Sequence, residues 1–360
     1  PFTALPVAAN KEILVFTLIL VAFFALLGRI LIEGRIRYPG HWLAASLLIL
    51  VLVWGVSSFF SINQIGSLIG SWATPDSFTA VLLFALLALS IVMTFDRRDI
   101  VVSILVFLSS LSVLGLFELL QLMKVFVLPF AFAKNVAFNP VGSVNDLGVL
   151  LAFGLVIVSG MMTTPEMSKL LKKLLGISVV ILLLNLIIID FWAIWVGLAL
   201  AMVFMITFLS MGLSKSNFAQ GFQLAYFQKA WLPSIILLVS LLFLFIPSPL
   251  ARFIQTPVEV SPNFTATLDI GIANLKAGHY LLGSGPNTWG FIFNLYKPDG
   301  INQTIFWSTV FTSGASAAAS WVGAVGLLGV LAILLLIAAF IWTAVTGTSM
   351  RNADKGIMNV

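Results

Sequence analysis

An all-α, polytopic membrane protein of about nine transmembrane helices, with one large external loop between the eighth and the ninth, is the fold class that this sequence predicts. Three observations carry that prediction. Of the 360 residues, 61% are hydrophobic and only 9% are charged, whereas about 25% of a soluble domain is charged. The apolar residues gather into runs of about 20, the length a helix needs to cross a hydrocarbon core of ~30 Å. Finally, Lys and Arg cluster in every second connection, as they do when basic loops stay on the cytoplasmic face.

A hydropathy window of about 19 residues places helices near 13–32, 42–60, 78–95, 100–119, 147–163, 174–189, 191–211, 231–247 and 320–344. Glu118 falls at the outer end of the fourth span, where an acid can reach water. The apolar run 174–211 is too long for one span, and Asp190 divides it; the pair reads as a tight helical hairpin with Asp190 at a solvated tip. Between the second and third spans, 61–77 is polar and small. The segment 121–145 mixes aromatics with Lys124 and Lys134 and reads as an element lying at the membrane interface. In the long loop, Leu268, Ile272 and Leu275 recur at i, i+4, i+7, predicting a short amphipathic helix that ends before Gly278. The chain therefore divides into a transmembrane bundle at 1–247, an external loop at 248–319, and a last helix with a cytoplasmic tail at 320–360. Its start at Pro1, without methionine, predicts processing or truncation of a longer chain.

Orientation follows from the basic residues. Twelve of the 18 lie in alternate connections: Arg29, Arg35, Arg37, Arg97, Arg98, Lys169, Lys172, Lys173, Lys215, Lys229, Arg351 and Lys355. Lys11, Lys124 and Lys134 lie in the intervening ones, while Arg252, Lys276 and Lys297 fall in the long loop, which is exempt from the rule. The prediction is an outside N-terminus, an inside C-terminus and an external long loop.

Composition also excludes function classes. With no cysteine and two histidines, thiol chemistry, iron–sulfur clusters and the usual zinc sites are excluded or disfavoured. Glu259, Asp269 and Asp299 are too far apart in sequence to suggest a carboxylate metal site, so neither a metal nor another cofactor is expected. The basic residues form no stripe, which argues against nucleic acid as a partner. No span clearly carries a charge near its centre, which argues against ion coupling.

Three stretches are more specific: Phe138-Asn139-Pro140-Val141-Gly142-Ser143-Val144-Asn145-Asp146-Leu147 before the fifth span, Leu282-Gly283-Ser284-Gly285-Pro286-Asn287-Thr288-Trp289 in the long loop, and Gly326-Leu327-Leu328-Gly329 in the last span. Together with the loop that precedes a late helix, they resemble the O-antigen ligase and polymerase superfamily of bacterial inner membranes, over about 130–360. That resemblance implies transfer of a glycan from an undecaprenyl-diphosphate-linked donor to a glycan or glycolipid acceptor at the outer face, without a metal. The residues are compatible with such chemistry. A diphosphate needs fixed cations, for which Arg252, Lys276 and Lys297 are the candidates. Sugars stack on aromatic rings and bind neutral polar groups, and Trp289, Tyr296, Trp307 and Asn287 are available. A base to activate the acceptor hydroxyl is sought among His279, Glu259 and Asp299. One departure stands out: where the family carries a histidine before its Gly-Leu-Leu-Gly turn, this chain has Ser313-Gly314-Ala315-Ser316. The alternatives are a transporter or flippase, and a scaffold that keeps the family fold without its chemistry.

Overall fold

The computed structural model describes residues 6–34, 41–71, 76–163, 167–214, 222–250, 254, 256 and 259–357. It is helical, with no β-strand among the described residues. In chain order the helices are α1 (Val7–Glu33), α2 (His41–Phe59), α3 (Gln64–Ile69), α4 (Phe78–Thr94), α5 (Arg97–Leu122), α6 (Val144–Met162), α7 (Lys169–Ile189), α8 (Trp192–Ser214), α9 (Phe222–Phe245), α10 (Phe264–Asn274), α11 (Trp289–Tyr296), α12 (Asp299–Asn302) and α13 (Ala317–Ile357). Among the described residues, seven helices are long and apolar enough to cross a membrane, namely α1, α2, α5, α6, α7, α8 and α13. Two more stretches, Phe78–Thr94 and Ala230–Phe245, are apolar but shorter.

Every run expected to be helical is helical, and several helices extend beyond it. Hydropathy stops at the first charge, whereas helical hydrogen bonding does not: α5 begins at Arg97 and takes in Asp99, which suits the positive end of a helix. Side-chain caps mark several starts. Ser77, Ser143, Ser168 and Asn263 each accept a bond from the backbone N–H three residues on, at α4, α6, α7 and α10 respectively. The polar 61–77 stretch contains α3, whose Asn63 cap accepts from Gly66 N–H. The 121–145 stretch is largely irregular, with one 3₁₀ turn at Ala131–Ala133.

Contacts divide the chain into two compact units, one made of 1–96 with 260–360 and the other of 97–259. In the first, α1 packs on α4, α2 on α4 and α13, and α10 on α13. In the second, α6 packs on α7 and α8, α5 on α7, and α8 on α9. Its apolar core includes Leu108 and Leu111 of α5, Leu147, Leu151 and Leu155 of α6, Leu182 and Leu186 of α7, and Trp195 of α8.

Two local expectations change. Leu268, Ile272 and Leu275, whose spacing predicted a short amphipathic helix, are half-buried or exposed; the buried stripe of α10 is Thr267, Ile270, Gly271 and Asn274. Small residues decide this, because Gly271 and Gly323 let α10 and α13 approach until a Cβ on Gly323 would stand 2.8 Å from the Gly271 Cα. Asn274 Nδ2 then reaches the Gly323 carbonyl at 2.9 Å. Asp190 is likewise no free tip. It adopts the left-handed conformation that ends α7, and its carboxylate accepts bonds from Trp195 Nε1 (3.0 Å) and Ser248 N–H (2.8 Å).

Candidate functional site

A densely hydrogen-bonded polar region lies in the first unit, where the 280–288 loop meets α2, α3 and a break in α13. Four serines of the α2–α3 corner supply hydroxyls at its surface. Ser57 donates to the Leu282 carbonyl (2.7 Å), Ser61 to that of Ser284 (3.0 Å) and Ser67 to that of Pro286 (2.6 Å), while Ser58 donates to the Ser67 carbonyl (3.2 Å). The Ser61 and Ser67 hydroxyl oxygens lie 2.6 Å apart, so the single Ser61 proton serves either Ser67 or the Ser284 carbonyl. These serines sit in a run that hydropathy reads only as the end of a span and the start of a loop.

The loop's other edge is tied to α13. Ser284 N–H donates to the Gly323 carbonyl and Gly285 N–H to that of Ala324, while the N–H groups of Leu327 and Leu328 donate back to the carbonyls of Tyr280 and Leu281. Such an exchange needs a helix that stops bonding to itself, which Gly326 provides at φ +63°, ψ −166°. At Gly285 (φ +108°) a Cβ would overlap Ser61 Oγ. The Gly-Ser-Gly-Pro turn and the Gly-Leu-Leu-Gly stretch, about forty residues apart, therefore lie backbone to backbone.

Around this junction the candidate residues take different places. Lys276, exposed, and His279, half-buried, share the single π-turn Leu275–His279, which Gly278 (φ +108°) closes. Asn287 is a structural group in this conformation: its amide donates to the Gly66 carbonyl (3.0 Å) and its oxygen accepts from Ser71 (3.0 Å). Trp289 is only 3% exposed and packs with Ile270, Ile292 and Phe293, so its ring offers no open face to a sugar. Tyr296 borders the same cluster. Lys297 donates to the Trp307 carbonyl (2.9 Å), and Trp307 is 64% exposed. Asp299 opens α12 and is exposed. Glu259 belongs to the second unit, where its carboxylate accepts from Asn145 N–H (3.1 Å) in the first turn of α6. Arg252 lies outside the described residues. The 313–316 stretch is a joint, Gly314 N–H donating to Ser320 Oγ and Ala315 N–H to Thr267 Oγ1, both at 2.9 Å.

In the second unit, Glu118 departs from expectation. Rather than reaching water it is 0% exposed, and neither carboxylate oxygen has a hydrogen-bond partner among the described residues. The 125–143 segment folds back over this end of α5, which a reading of one span at a time does not register. No family profile, curated protein or solved structure matches the chain.

Proposed function

We propose that this is a nine-span protein of the bacterial inner membrane, of the O-antigen ligase and polymerase kind, which transfers a glycan from an undecaprenyl-diphosphate-linked donor to a sugar or glycolipid acceptor at the outer face. In this reading the N-terminus and the 248–319 segment lie outside and the C-terminus inside. One observation carries it: the two glycine motifs behind the resemblance, distant in sequence, form one hydrogen-bonded junction, and Lys276 and His279 stand on the turn that leads into it. A recess of about 450 Å³ between α2, α4 and α13, lined by apolar residues such as Leu47, Leu89 and Phe340, suits a hydrocarbon chain.

The acceptor oxygen attacks the anomeric carbon as the bond from that carbon to the diphosphate oxygen breaks. The diphosphate leaves with the electron pair, and the hydroxyl proton passes to His279. Lys276 and Lys297 offset the leaving group's charge, and Trp307, the candidate ring with an open face, stacks on a sugar. The test is incubation of the purified protein with a lipid-diphosphate glycan and candidate acceptors. His279→Ala is expected to slow transfer roughly a hundredfold, the lower end of what an acid–base group contributes, and Lys276→Ala by a hundredfold or more, corresponding to about 2.7–4 kcal/mol for a lost charge-stabilising donor. Transfer unchanged in both variants removes this site. The scaffold reading is favoured by one observation, the purely structural 313–316 joint, and it gains if no lipid-linked glycan is used at all.

A further inference from the structure

Glu118 is left unused by the chemistry above, and its surroundings form a built polar site inside the second unit. One turn earlier on α5, the Gly115 carbonyl accepts Asn185 Nδ2 (3.1 Å) from α7, and that amide also donates to the Ile181 carbonyl (2.8 Å). Both donors' partners being fixed, Asn185 Oδ1 is oriented away from them; it is buried and unpartnered among the described residues. Ser112, one turn before Gly115, bonds at 2.8 Å to Ser178, two turns before Asn185, so α5 and α7 are neighbours along this stretch, and Glu118 lies about 4.5 Å along α5 beyond Gly115. A cover closes this end. Gln121 Nε2 holds the carbonyls of Ala133 (2.6 Å) and Asn135 (2.7 Å), and the Phe138 ring meets Phe117 edge-on at 6.4 Å and Phe132 at 5.4 Å. Asn139, next in the cover, spends its oxygen on the N–H groups of Val141 and Gly142 and leaves its buried Nδ2 unpartnered.

A bare carboxylate is not sustained in such a place, because the lost hydration costs several kcal/mol unless another charge offsets it. No described cation does so. On α5 itself, Arg97, Arg98 and Asp99 lie at the far end, about 28–32 Å away along the helix. From the packed elements, Lys169, Lys172 and Lys173 open α7 at that same far end, and Asp146 on α6 is exposed. Asp190 is held by Trp195 and Ser248, Glu259 by Asn145 N–H, and Lys124 and Lys134 on the cover are exposed. We infer that Glu118 is a small-cation site, in which a hydrogen ion or a sodium ion neutralises the carboxylate and Asn185 Oδ1 is the neutral oxygen beside it. The site is independent of glycan transfer and gives the second unit a binding role of its own.

Thermal unfolding of the full-length protein in detergent, with sodium chloride against choline chloride, tests the sodium arm, and infrared spectroscopy at neutral pH tests the proton arm. If sodium fills the site, the wild-type unfolding temperature rises by about 2–4 °C or more in sodium, and Glu118→Gln abolishes the rise. If a hydrogen ion fills it, sodium has no effect, and the wild type shows the carbonyl stretch of a protonated carboxylic acid at neutral pH, where exposed carboxyls are ionised; Glu118→Gln removes that band. Both wild-type measurements stand if the variant fails to fold. Absence of both the sodium shift and the protonated-acid band overturns the inference, whatever the outcome for glycan transfer.

Discussion

Ser67 shows how single side chains set the geometry of the junction. It is fully buried, and its hydroxyl serves the Pro286 carbonyl and Ser61 together. Ser67→Ala is therefore expected to cost about 1–3 kcal/mol, the penalty of leaving buried polar atoms unmet, and to lower the unfolding temperature in detergent. Gly285→Ala is expected to cost more. Its Cβ meets Ser61 Oγ at a backbone φ of +108°, so overpacking of about 1–3 kcal/mol adds to backbone strain of about 1–3 kcal/mol. A Gly285→Ala protein that melts with the wild type would show that the loop does not bind α2 as described. Here the glycines were legible as motif letters, but the reason for Gly285 was not: it lies in Ser61 and Ser67, more than two hundred residues away in the chain.

At the scale of elements, Asp190 ties the α7–α8 turn to the start of the segment after α9. Asp190→Ala removes two acceptors at once and is expected to destabilise the protein by about 1.5–3 kcal/mol, as bonds to charged groups do. Asp190→Asn should lose less, since asparagine tolerates the left-handed backbone and keeps one acceptor. Unfolding followed by tryptophan fluorescence checks the order, and equal losses would remove the claim. The same scale explains α10. Its leucine and isoleucine spacing predicted a helix, while its buried stripe is set by the close approach of Gly271 and Gly323.

For the whole molecule the prediction concerns orientation, which rests on the placement of 12 of the 18 basic residues. The chain lacks cysteine, so single cysteines report without background. Lys173→Cys and Ser308→Cys both replace exposed residues. With an impermeant maleimide on intact cells, Ser308→Cys is expected to label and Lys173→Cys only after permeabilisation. The reverse pattern would overturn the orientation and, with it, an external site for glycan transfer.

By itself the sequence determined the membrane-protein class and the position of every long helix, because the length of an apolar run and the backbone's need for internal hydrogen bonds are local properties. It also supplied the two glycine motifs. Only the tertiary structure decided that those motifs form one junction, that Trp289 is core, that Asn287 is a strut and that Glu118 lies sealed beneath the 125–143 cover. Those outcomes depend on which distant segments exclude water from a side chain, and burial of that kind arises from packing between elements.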